Sequence, residues 1–336
     1  MKQERKALRI GVVLILLAAV WRIAAGGGLV PVAEFFRKPE VAAFIVYLGT
    51  GRVVHPEAQA KEETVPPAEG THPIVPPETL SPSPPPGALL TAEDLAYFSL
   101  YDLSGRSFDR QQLLTQPLSW DLSGPEPKVL ILHTHATESY VRGTQDYVET
   151  ALYRTRDKEY NVVKVGAHLA RQLEERGIGV IHDTTLHDYP SYTGSYNNSR
   201  KAAQDWMAQY PSLVLVLDLH RDAALNPDGS QMATRANVDG QDSAQLMLVV
   251  GSDASGLAHP NWQENMAIGA KLHVVLERSW EGLMRPICFR AERFNQDLLP
   301  GMLLVEVGTA GNTLQQALVA AECLAEGIAQ LCYGAN

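Results

Sequence analysis

Four side chains in this sequence have the types and surroundings that hydrolytic chemistry requires. His135 and Glu138 stand at His-x-x-Glu spacing in His133-Thr-His-Ala-Thr-Glu138, His220 ends Leu217-Asp-Leu-His220, and Glu306 lies alone in the apolar run Leu303-Leu-Val-Glu-Val307. Two neutral imidazoles and one carboxylate are the donor set of a catalytic Zn²⁺ site, which takes three protein ligands and keeps a fourth position open. A strand-end imidazole and a carboxylate on the following turn can reach one ion. His135, Glu138 and the distant His220 are therefore the expected ligands. A carboxylate in an apolar run is costly to bury unless something nearby requires it, which suits Glu306 as general base. Zinc brings the pKa of a bound water to roughly 7, and a nearby carboxylate can take the proton and return it to a leaving amine. The reaction implied is metal-assisted amide hydrolysis.

Each of these residues also has a plain structural reading. His133 and His135 point to the same side of an extended strand, so one can be a ligand while the other hydrogen-bonds in the core. His220 can orient a loop through Asp218 or Asp222, and Glu306 can pair with an arginine such as Arg290. His168 falls within a helix, at the surface or in packing, and His187 in Leu186-His-Asp-Tyr-Pro190 can support a ligand from behind. Gly26-Gly-Gly28 is not a phosphate loop, because no helix opening on Lys-Ser or Lys-Thr follows it.

The elements that must position these groups alternate. Val129 to Leu132 is an apolar run too short for a helix. Asn161 caps a helix with the stripe Val162, Val165, Leu169 and Leu173, ending at Gly177. A strand follows over Gly179 to His182, a helix over Asn198 to Tyr210 stopped by Pro211, and a doubly buried strand over Leu213 to Leu219. Strands over Leu246 to Gly251, Pro286 to Phe289 and Met302 to Val307 enclose a helix over Trp262 to Trp280, and Asn312 to Leu331 closes the chain as a helix. Such alternation predicts an α/β fold, a three-layer αβα arrangement around a mostly parallel central sheet. The strands ending near His133, at His220 and around Glu306 would bring the polar groups to one sheet edge, where open α/β sheets bind ligands.

The chain has 336 residues, 45% of them apolar and 20% charged, which excludes a collagen, a wholly disordered protein and a polytopic membrane protein. Charge is segregated: 1–54 holds eight basic and three acidic side chains, a net +5, within a total of −10, so the remainder carries −15. An acidic body does not suit a phosphate backbone, so no nucleic-acid partner is expected. Cys288, Cys323 and Cys332 lack CxxC spacing and read as buried fillers. Lys2, Arg5, Lys6 and Arg9 precede the apolar run Ile10 to Trp21, which continues past Arg22 to Val30. That length approaches the ~20 residues needed to span hydrocarbon. A cleavable signal peptide competes, but Arg22 interrupts the approach to a small-residue cleavage site, so an uncleaved anchor is preferred. The expected organisation is a cytoplasmic tip and membrane anchor (1–32), a juxtamembrane segment (33–55), a flexible linker (56–88) and a catalytic domain (89–336). The linker assignment rests on ten of the chain's twenty-one prolines.

Several stretches also resemble a known family. They are Val129-Leu-Ile-Leu-His-Thr-His-Ala-Thr-Glu-Ser-Tyr140, Tyr160-Asn-Val-Val-Lys-Val-Gly166, Asp183-Thr-Thr-Leu-His-Asp-Tyr-Pro-Ser-Tyr192, Ser195-Tyr-Asn-Asn-Ser-Arg200, Leu217-Asp-Leu-His-Arg-Asp-Ala223, Asn295-Gln-Asp-Leu298, Leu304-Val-Glu-Val-Gly308 and Gly311-Asn-Thr-Leu314. In this order they resemble the stage II sporulation protein P family, cell-wall hydrolases related in fold to the zinc N-acetylmuramoyl-L-alanine amidases. The resemblance implies a peptidoglycan substrate, cleavage of the amide between N-acetylmuramic acid and L-alanine, and action on stem-peptide cross-links. It further implies a single-pass anchor in the mother-cell membrane, work during engulfment, and the stage II sporulation proteins D and M as partners. Related amidases place their ligating Glu farther from the first His than Glu138 is from His135, so Asp157 or Glu159 is an alternative carboxylate and His133 an alternative imidazole. A non-catalytic wall-binding module and a carboxypeptidase-like wall peptidase are the rival functions.

Overall fold

The computed structural model describes residues 90–118, 121–141 and 153–334. The expected anchor (1–32), juxtamembrane segment (33–55) and linker (56–88) lie outside the described residues; among those described, no helix is long and apolar enough to cross a membrane.

Nine strands and five α-helices follow in the described chain: β1 (Leu100–Asp102), α1 (Arg110–Thr115), β2 (Val129–Leu132), α2 (Val162–Glu174), β3 (Val180–His182), α3 (Ser195–Gln209), β4 (Leu215–Asp222), β5 (Arg235–Val238), β6 (Gln241–Ala244), β7 (Leu246–Val250), α4 (Trp262–Ser279), β8 (Ile287–Phe289), β9 (Met302–Thr309) and α5 (Leu314–Gly334). Seven strands form one mixed sheet in the order β1-β8-β7-β9-β4-β2-β3. All its pairings are parallel except β7 with β9. The expected mostly parallel sheet is thus two parallel blocks that run in opposite directions and meet at one antiparallel seam. The block β9-β4-β2-β3 carries His220 and Glu306 and leads into His135, all toward the same edge.

Side chains alternate across the sheet because successive strand residues face opposite sides. Val129, Ile131, Leu215, Leu217, Leu219, Leu303 and Val305 share a core with α2, α4 and α5. Leu130, Leu132, Val216 and Met302 pack on the other face beneath α3. Helices therefore flank both faces, α2, α4 and α5 on one and α3 on the other, with α1 adding Leu113 to the first core. The helix expected from Asn161 is observed as drawn: Asn161 Oδ1 accepts the Val163 amide at 3.0 Å and supplies one bond the first turn lacks. α3 begins three residues before its expected start at Asn198, directly after Gly194, whose φ is 96°. The hairpin of β5 and β6 was not expected. Its Asp239-Gly240 turn, with φ of 50° and 85°, has the two positive φ values of a two-residue hairpin turn, and the Asp-Gly pair was a readable signal for it.

Candidate active site

The path of the chain beyond β2 decides which histidine meets which partners. Strand alternation carries His133 to the α2 face, where its Nδ1 lies 3.1 Å from the Leu219 carbonyl and its Nε2 lies 2.9 Å from His182 Nε2. Gly166 on α2 makes room for this pair, because a Cβ there would fall 2.6 Å from both Nε2 atoms. The strand then stops. Asp218 of β4 takes the Thr134 amide at 2.7 Å and the Thr134 hydroxyl at 2.6 Å, and residues 134–137 turn. His135 emerges on the opposite side, ringed by Tyr192, Tyr196 and His220. The expectation that His133 and His135 share one side is corrected, since a turn replaces the extended backbone on which it depended.

Asp218 and His220 are two residues apart on β4 and so face the same side, and His220 is the register partner of Glu306 on the neighbouring parallel strand β9. The register shifts just beyond this pair: a step of two along β4, from His220 to Asp222, matches a step of three along β9, from Glu306 to Thr309. Gly308 sits in that bulge with φ of 66°, and a Cβ there would come within 2.8 Å of Ala244 and Asn312. The bulge ends regular pairing at the site, a common use of such irregularities.

Glu138 is buried and meets His220 directly, its Oε2 lying 3.4 Å from His220 Nδ1. It also accepts the Arg221 amide at 3.1 Å and Arg154 Nη2 at 3.3 Å. Burial works against its charge, but Arg221, His220 and Arg154 hold it well below the usual carboxylate range. His220 is opposed by burial too, yet Asp218 and Glu138 raise its pKa well above the ordinary value. Its Nε2 lies 3.0 Å from Asp218 Oδ1, off the line of a well-formed hydrogen bond, so this is a close charge contact. Burial lowers the pKa of His135 to about 4, leaving its imidazole neutral. Burial pushes Glu306 up to about 8 against the pull of His220, and its Oε2 is buried with no hydrogen-bond partner.

The structure thus draws His135, Glu138, His220 and Glu306 to one place. The alternatives lie elsewhere. Asp157 and Glu159 are exposed, Glu159 bound to Lys164 at 2.6 Å; Arg290 pairs with Glu292 at 3.0 Å, not with Glu306; and His133 faces away. His168 pairs with Glu322 at 2.8 Å near the surface, and His187 is buried 3.3 Å from Asp183. The three cysteines are free thiols, two half-buried and Cys323 buried. Sequence reasoning did not single out Arg154 and Tyr196 as site residues, and it gave Asp218 only a loop-orienting role. Asp218 had a signal, an acid two residues before His220 in an apolar strand, whereas Arg154 had none.

The donor chemistry fits a zinc ion. His135 Nδ1 is buried without a partner, and the 3.4 Å between His220 Nδ1 and Glu138 Oε2 is close to the edge of a tetrahedron with bonds of about 2.0–2.2 Å. Asp218 behind His220 repeats the carboxylate–histidine support usual for metal ligands. Among the described residues no three His, Cys, Asp or Glu side chains are close enough to enclose an ion.

The family model for stage II sporulation protein P matches residues 57–329. The chain belongs to this family. It is 28% identical over 265 residues to the stage II sporulation protein P of Bacillus subtilis (strain 168), covering 76% of this chain and 62% of that relative, and so spans less than two thirds of the relative's length. Among solved structures, the N-acetylmuramoyl-L-alanine amidase AmiC2 of Nostoc punctiforme is 11% identical, with a TM-score of 0.36 over 62% of this chain and 96% of its own. The corresponding amidase Ami1 of Mycobacterium smegmatis is 14% identical, with a TM-score of 0.38 over 63% and 98%. The CwlD amidase of Clostridioides difficile, solved with the GerS lipoprotein, is 15% identical, with a TM-score of 0.36 over 62% and 95%.

Proposed function

We propose that this protein is a zinc-dependent peptidoglycan hydrolase that cleaves the N-acetylmuramoyl-L-alanine amide, and stem-peptide cross-links as well, during sporulation. The observation that carries the reading is the pairing of Glu306 with His220 across β9 and β4, beside Glu138 and His135, in a family of sporulation proteins. His135, Glu138 and His220 would hold the ion, which when bound supplies Lewis acidity to the scissile carbonyl and acidifies water. Glu306 takes the proton of the attacking water at its unpartnered Oε2 and gives it to the departing amine. As a buried acid it is a poor base at neutral pH until a positive charge beside it lowers its pKa. Arg221 and Arg154 keep Glu138 ionised and fixed. Loading requires His220 to lose its proton, so zinc affinity should fall as pH falls.

In this reading the basic flank and apolar run of 1–32 anchor the protein in the mother-cell membrane with the catalytic domain outside the cytoplasm, beside the stage II sporulation proteins D and M. The test is to incubate the full-length protein with purified wall sacculi and identify released fragments by mass spectrometry. New L-alanine amino termini that vanish with a chelator and return with Zn²⁺ are expected. Binding without release at saturating Zn²⁺ would sink the hydrolase reading in favour of a wall-binding module, and release of terminal residues alone would make it a carboxypeptidase. His220→Ala should lower the zinc-to-protein ratio; an unchanged ratio dismisses it as a ligand.

A further inference from the structure

Tyr192 lies over His135. The two rings stack with centroids 4.5 Å apart and planes 14° from parallel, and the Tyr192 hydroxyl is 3.1 Å from His135 Nε2. The guanidinium of Arg154 sits 4.7 Å from the centre of the Tyr192 ring. The same guanidinium binds Asp188 at 2.7 Å and Glu138 at 3.3 Å, and Asp188 in turn takes the hydroxyl of Thr137 at 2.6 Å. The segment bearing Tyr192 and the turn bearing His135 and Glu138 are therefore fastened to each other, and the phenol keeps its place although the residue is 53% exposed.

A neutral imidazole carries its proton on one nitrogen and a lone pair on the other. At His135 the outer nitrogen, Nε2, lies 3.1 Å from the phenol oxygen, which accepts its hydrogen only in the Nε2–H tautomer, while the inner nitrogen, Nδ1, is buried with no acceptor. A proton on Nδ1 would be a buried donor without a partner, so it belongs on Nε2. At His220 both ring nitrogens instead face carboxylates, Asp218 at 3.0 Å from Nε2 and Glu138 at 3.4 Å from Nδ1.

We propose that Tyr192 is a positioning residue, whose hydroxyl holds His135 in the Nε2–H tautomer and so presents the Nδ1 lone pair to the cation. The inference rests on the reading of His135 as a metal ligand. It gives the two imidazoles different surroundings, carboxylates at both ring nitrogens of His220 and a half-exposed phenol at Nε2 of His135.

Tyr192→Phe keeps the ring over His135 and removes only the oxygen. In the metal-free full-length protein, ¹⁵N spectra of labelled histidine should show His135 protonated at Nε2 in the wild type and a shifted tautomer balance in the variant. Competition with a chromophoric chelator should show Zn²⁺ bound about 10–100-fold more weakly by the variant, the range typical for removing a group that supports a ligating histidine. Wild-type zinc affinity in Tyr192→Phe, or an unchanged His135 tautomer, overturns this inference and leaves the hydrolase reading standing. A wild-type protein that binds no Zn²⁺ overturns both.

Discussion

Two pairs of histidines stand near each other beyond β2, and their geometry is nearly the same. His133 and His182 have ring centroids 5.2 Å apart at 77°, and His135 and His220 have centroids 5.2 Å apart at 88°. Their surroundings differ. The first pair is packed against α2 and Gly166, and burial lowers its pKa values to about 4 for His133 and about 3 for His182, so both rings are neutral. The second pair has Glu138 and Asp218 against His220 and Glu306 one strand away, and the two carboxylates next to His220 raise its pKa against the effect of burial. Two imidazoles in edge contact are therefore not enough to make a site. Carboxylates close to the imidazoles separate the second pair from the first.

The sharpest way to break this contrast is Glu306→Gln, which removes the proton acceptor and leaves His133 and His182 untouched. Turnover on wall sacculi should fall by about 10²–10⁴-fold, the usual worth of a general base, with bound zinc unchanged. A variant within tenfold of the wild-type rate would take Glu306 out of the mechanism.

A smaller effect is expected at the first pair. Gly166→Ala forces a methyl toward His133 and His182, and overpacking of this kind costs about 1–3 kcal/mol, partly offset by the ~1 kcal/mol helix preference of alanine over glycine. Urea unfolding should show the loss while the zinc-to-protein ratio stays the same. If stability is unchanged the pair is looser than described; if zinc is lost the two pairs are not independent.

A further effect appears in acid. His182 has a folded pKa below its unfolded value of about 6.5, so below that pH the unfolded chain binds a proton that the folded protein refuses. Its contribution is complete above pH 6.5 and declines by about 1.4 kcal/mol per pH unit as pH falls toward about 3. His182→Asn should unfold with a correspondingly shallower dependence on pH between about 6.5 and 4. Parallel pH profiles for the variant and wild type would mean that His182 does not resist protonation in the fold.

Much of the scaffold was readable in advance. The Asn161 cap and the stripe from Val162 to Leu173 marked α2, and the apolar run from Leu213 marked a strand buried on both faces. The antiparallel seam between β7 and β9 was not readable, because an apolar run states that a strand is buried and not which way its neighbour runs. At the site, residue type singled out His135, Glu138, His220 and Glu306, but could not choose between His133 and His135. That choice depends on Asp218 capturing the Thr134 amide at 2.7 Å, a contact between residues 84 apart in the chain.

By itself the sequence determined the inventory: two imidazoles and two carboxylates at or just beyond the ends of apolar strands, carried by elements whose periodicity and caps are local properties of the chain. The tertiary structure alone decided which of them meet. Register set Glu306 beside His220, and a turn held by Asp218 sent His135 to one face and left His133 on the other. Those outcomes depend on pairings between distant segments and on the charge each buried group finds around it, quantities that exist only once the chain has folded.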